Sequence, residues 1–170
     1  MVEKVSSSIY ALQEEQSMTT MFTPKDLAKA IEQAHDEYIP LMVQEHLGGH
    51  EDTFWLFRGT KTDFRDSAHF WVMCIMYEYR SVQADFAMIQ RALRMIKAAL
   101  PDQYEEITPE MFQRTVNEYS NLLTIRNIQH EYSWRGQIGK AMKVSDEWND
   151  VAVIGETESE FVAFNWVTGA

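Results

Sequence analysis

Between residues 68 and 99 there is neither glycine nor proline, and residues 70–77 (FWVMCIMY) are apolar without a break. Glycine and proline punctuate chain direction, so their absence over so long a stretch demands one extended element. Asp66 or Ser67 can cap its start, and Leu100-Pro101 ends it. Val82, Phe86, Ile89, Leu93, Ile96 and Leu100 recur at spacings of four and three, with Arg80, Arg91, Arg94 and Lys97 opposite. That is the period of one helix face. The reading is a long central helix whose first part, apolar on every side, forms the buried centre of the fold. A strand at 70–77 is the alternative that periodicity alone leaves open.

Other elements arrange themselves around it. Residues 1–22, rich in Ser, Thr, Gln and Glu, read as a flexible arm, and residues 23–170 as one globular domain. Thr23-Pro24 with Asp26 is a helix start, followed by Leu27, Ile31, Ala34 and Tyr38 on one face. Pro40 ends or kinks that helix, and residues 41–47 read as a second helical piece stopping at Gly48-Gly49. Residues 53–57 (TFWLF) read as a strand. Thr108-Pro109 repeats the helix opening, with Phe112, Val116, Tyr119 and Leu123 behind it. The following stretch, to Lys143, is expected to finish that helix near His130 and continue as loop or short helix. Residues 151–154 and 161–167 flank an acidic loop as a β-hairpin. In its second strand Phe161, Ala163 and Asn165 face one way and Val162, Phe164 and Trp166 the other. The expected class is α+β: a mostly helical domain, three to five helices around the long one, with a small antiparallel β element.

Charge narrows the function. The net charge is −11, and residues 144–170 hold six acids with no Lys or Arg. Like charge repels phosphate backbones, so direct nucleic-acid binding is not expected, whereas mimicry of nucleic acid is open to such a surface. The single Cys74 cannot form an internal disulfide and sits in the apolar run, as a buried thiol would. The longest apolar run is far short of the ~20 residues a membrane helix needs, and the N-terminus lacks a signal-peptide core. A cytoplasmic protein without membrane contact is expected.

Two sets of side chains are candidates for a site. The first is Asp146, Glu147, Trp148, Asp150, Glu156, Glu158, Glu160 and Trp166: aromatics ringed by carboxylates, the composition of a binding hot spot for a basic partner such as a toxin or nucleic-acid-binding protein. Immunity proteins, antitoxins and phage-type inhibitors work this way. The bland reading is a solubilising rim on an edge strand. Arg91, Arg94 or Lys97 could pair with part of this rim. The second set, His46, His50, Glu51, Asp63, Asp66 and His69, has the ligand types of a metal-dependent hydrolase for phosphoesters or nucleotides. Gly48-Gly49 separates His46 from His50, and acids before a helix serve equally as caps, so no metal or other cofactor is assigned. No nucleophile elbow or phosphate loop is present. A third reading is an assembly subunit whose arm orders on a neighbour.

Overall fold

The computed structural model describes residues 20–34, 38–47, 51–81, 87, 91, 104–125 and 128–169. Among these run α1 (Pro24–Gln33), β1 (Met42–Leu47), β2 (Asp52–Thr60), α2 (Ser67–Ser81), β3 (Glu105–Ile107), α3 (Pro109–Ile125), β4 (Lys140–Glu147), β5 (Asp150–Glu156) and β6 (Glu160–Thr168). The strands form one six-stranded antiparallel sheet in the order β1-β2-β6-β5-β4-β3. The expected mostly helical domain with a small β element is therefore corrected. The sheet dominates, and the helices are laid on it.

The sheet is covered on both sides. Trp55, Phe57, Met142, Val144, Ala152, Ile154, Phe161 and Ala163 meet α1 and α2 on one face. Phe54, Leu56, Ala141, Val151, Val153, Val162, Phe164 and Trp166 meet α3 and residues 128–138 on the other. A strand buried on two faces has no reason to alternate apolar with polar, so β5 and β6 read as unbroken apolar runs. The facing assigned to Phe161 to Trp166 from sequence is the one found.

Helix α2 settles residues 70–77 as helix. Its apolarity on every side follows from its position: it lies between α1 and the sheet, and every residue from Ala68 to Met76 is buried. Phe70 stacks on Phe161 at 5.5 Å. The proposed stripe from Val82 to Leu100, with Arg94 and Lys97, lies outside the described residues. Helix α1 starts as its sequence dictates: Thr23 Oγ1 accepts from Asp26 N–H, and Asp26 Oδ2 accepts from Thr23 N–H at 2.8 Å. Phe22, assigned to the arm on composition, is in the core against Tyr104.

Three strands depart from the sequence reading. Residues 42–47 are edge strand β1, not helix. Leu41 and Val43 pack against the α1–α2 core while Met42 and Glu45 are exposed, so this edge strand shows no clean alternation. Strand β4 occupies what was expected as loop or short helix; a bulge between Lys143 and Ser145 breaks its alternation. Strand β3 is too short to leave a pattern.

Gly59, on β2, has no room for a side chain. A Cβ there would overlap the ring of Phe64, itself held edge-on by Phe70 at 5.1 Å. Gly59→Ala is expected to cost about 1–3 kcal/mol by overpacking, measured by urea denaturation. The added change Phe64→Leu should return part of that loss. Equal stability of Gly59→Ala and wild type would contradict this packing.

Candidate functional site

Of the eight side chains expected to act together, Trp166 lies on β6 and the other seven divide between the opposite ends of strand β5. The β4–β5 turn carries Asp146, Glu147, Trp148 and Asp150, while the β5–β6 turn carries Glu156, Glu158 and Glu160. Six residue steps of strand put these ends about 20 Å apart. Strand geometry thus divides the expected patch into two, with different chemistry at each pole.

At the β5–β6 pole the acids meet this chain's own cations. Glu160 is buried; its Oε1 accepts from Arg58 Nη2 at 2.8 Å, and its Oε2 accepts from the Arg135 backbone N–H at 2.9 Å. Glu156 lies 3.3 Å from Lys61 Nζ and 3.7 Å from Lys140 Nζ. Buried Thr157 organises the loop: its hydroxyl oxygen accepts from the N–H groups of Ser159 and Glu160. Glu158 is exposed. The cations found in this role are Arg58, Lys61, Arg135 and Lys140; of those expected, Arg91 is exposed, and Arg94 and Lys97 lie outside the described residues.

The β4–β5 pole is different. Trp148 is 73% exposed at the turn, beside exposed Asp146 and Glu147. Glu51 and Asp52 come to the same end of the sheet: Thr168 N–H donates to the Asn149 carbonyl, and Gly169 N–H to that of Glu51. Asp52 and Asp150 begin strands separated only by β6, about 10 Å at ordinary strand spacing. Lys143 sits between Asp146 (2.8 Å) and Glu105 (3.0 Å), so one cation serves two carboxylates. Hydrogen bonds to Asp146 and Glu105 hold its ammonium above the usual lysine range.

Beneath this pole the carboxyl groups become hard to ionise. Burial pushes Glu78 up to about 7, with Asp150 adding repulsion. Burial also raises Asp150, against the opposing pull of the amide that Asn165 donates at 2.8 Å. Trp166, expected beside Trp148 as an anchor, is instead a core residue whose ring meets Tyr119 at a tilt, 4.8 Å between centroids. The sequence reading missed Glu78. Its signal was an acid between Tyr77 and Tyr79 at the end of the most apolar segment.

The described metal candidates do not converge. His50 and the His46 side chain lie outside the described residues. Glu51 precedes β2, whereas Asp63, Asp66 and His69 follow it, so the strand's eight residue steps, about 27 Å, separate Glu51 from those three. Asp66 Oδ1 accepts from His69 N–H at 2.8 Å, opening α2, and His69 Nδ1 accepts from Arg65 N–H at 3.2 Å. Among the described residues no group of three His, Cys, Asp or Glu side chains could hold a metal, and no helix is long and apolar enough to cross a membrane. The chain matches no protein-family model, no curated protein and no solved structure.

Proposed function

We propose that this protein is an acidic binding module that blocks a basic protein surface with the β4–β5 pole of its sheet. The observation that carries this reading is Trp148: a large aromatic, 73% exposed, on a tight turn flanked by exposed Asp146 and Glu147. Leaving an indole in water brings the fold no burial, while an aromatic ringed by charge is the usual make-up of an interface hot spot. Carboxylates would speed encounter with a cationic partner, and Trp148 would slow its release. An inhibitor of the immunity-protein, antitoxin or phage type, facing a basic toxin or nucleic-acid-binding protein in the cytoplasm, fits this chemistry. Glu156 and Glu160 have a structural part in this reading, because their charge is already met.

The test is capture from a lysate of the native host by the immobilised full chain, read by quantitative mass spectrometry. Basic proteins are expected to be retained. Trp148→Ala should reduce their retention about tenfold or more, and Asp146→Asn with Glu147→Gln should flatten its dependence on salt. Glu158→Gln, an exposed acid at the other pole, should change neither. An identical captured set for Trp148→Ala and wild type at low and high salt would remove the proposal.

A further inference from the structure

A second feature lies on the α3 face, away from the acidic turn. Between α3 and residues 130–132 there is an open cavity of about 210 Å³, lined by Gln113, Asn117, Asn121, His130, Glu131 and Tyr132 among others. The helix supplies its wall as a ladder: Gln113, Asn117 and Asn121 are each four residues apart and so share one face. The floor is rigid. Val116 and Tyr132 are buried, and Tyr132 is wedged edge-on between Phe164 at 5.4 Å and His130 at 4.5 Å.

The wall supplied by α3 is unusual for a solvated helix face because it is neutral; Glu131 is the one carboxylate in the lining. The charged residues Glu110, Arg114 and Glu118 follow their own four-residue spacing and do not line the cavity. Amides and phenols each offer a donor and an acceptor. Gln113 Nε2 donates to Asn117 Oδ1 at 3.0 Å, which leaves Gln113 Oε1 as an acceptor and the Asn117 NH₂ as a donor. The Ser120 hydroxyl donates to the Val116 carbonyl, so it can only accept. Paired donors and acceptors beside ring surfaces suit a ligand whose groups also both donate and accept, with an apolar face between them. An anion would meet Glu131 with no Lys or Arg in the lining, and a cation would find one carboxylate beside a histidine. The volume is below the ~300–1,000 Å³ of sites for drug-sized ligands. That space suits one ring.

We propose that this cavity binds a neutral, hydroxyl-rich ring of monosaccharide size, with Asn117 and Gln113 hydrogen-bonding its hydroxyls and the Val116–Tyr132 floor under its apolar face. The proposal does not depend on the binding role of the acidic pole.

The experiment is a titration of the isotope-labelled full chain with D-glucose, D-galactose and N-acetyl-D-glucosamine, followed by NMR of the side-chain amides. At least one sugar should give saturable shifts at Asn117 and Asn121. Asn117→Leu and the isosteric Asn117→Asp should each weaken it about tenfold, with helicity checked by circular dichroism. Glu118→Gln, on the neighbouring face, should bind as wild type does. Adenosine and inorganic phosphate serve as comparison ligands. No saturable shift with any of the sugars, wild-type affinity in both Asn117 variants, or saturable binding of adenosine or phosphate in place of the sugars would each overturn the proposal.

Discussion

Arg58→Ala is expected to destabilise the fold by about 3–5 kcal/mol, because it strands a buried carboxylate. Arg58 and Glu160 have side chains only 10% and 7% exposed, and their 2.8 Å contact joins positions 102 residues apart in sequence. Burial alone would raise the Glu160 carboxyl. The Arg58 hydrogen bond, the Arg135 backbone N–H and both positive charges outweigh it, and hold Glu160 below its ordinary value of 4.5. A lowered folded-state value contributes stability that is present above the unfolded value and is lost as pH falls through the folded one. Wild type should therefore lose stability below about pH 4.5 from this group. In Arg58→Ala the sign reverses, since the buried carboxyl then prefers its proton, and mild acid should recover part of the loss. Arg58 Nε is buried without a hydrogen-bond partner among the described residues, so the pair is imperfectly satisfied. Arg58→Met with Glu160→Gln, which keeps an acceptor for Arg135 N–H, should regain most of the stability. Urea denaturation across pH measures all three. A single variant as stable as wild type, or with an unaltered acid limb, would show that the pair does not hold the fold.

The same pair shows where sequence reading stops. Thr23-Pro24 with Asp26 and Thr108-Pro109 were legible because caps are set by residues three positions apart; Thr108 Oγ1 duly accepts from Met111 N–H at 3.2 Å. The β5–β6 hairpin was legible for a similar local reason. Glu160, however, looked like a rim acid until Arg58 was placed beside it by the β2–β6 register. Nothing local distinguishes a carboxylate that will be buried and paired from one left in water. Strands β1 and β4 were missed because their pairing, more than their own pattern, makes them strands: β1 is half solvated, and β4 changes register at its bulge. The acids at 146–150 and 156–160 are close in sequence, and only the direction of β5 shows that they point to opposite poles. Trp148 was identified from sequence and is exposed, while Trp166 shares its chemistry and is buried, a difference decided by Tyr119 from another element.

Glu78→Gln should stabilise the protein by up to about 3 kcal/mol at about pH 8 and leave it unchanged at about pH 4. The wild-type carboxyl is raised from 4.5 to about 7, first by burial and then by Asp150. It lies near Cys74, whose thiol is pushed up by burial and by Glu78, and beside Tyr79, which feels both carboxyls. Between these two pH values the unfolded chain has released the proton and the folded chain still holds it. Stability therefore falls as pH rises through this window, at about 1.4 kcal/mol per unit, and levels off above it. Glutamine keeps the shape of the protonated acid and carries no charge, so the variant's profile should lack this slope. Groups not coupled to Glu78, such as Glu160, titrate in both proteins and cancel in the difference. Parallel profiles for the two proteins would mean that Glu78 ionises as freely folded as unfolded. The position of the group gives the measurement a second reading. Above pH 7 Glu78 adds a negative charge beneath Asp150, next to the turn that bears Trp148. Capture of a cationic partner through that turn should then strengthen between about pH 6 and 8 in wild type and stay flat in Glu78→Gln.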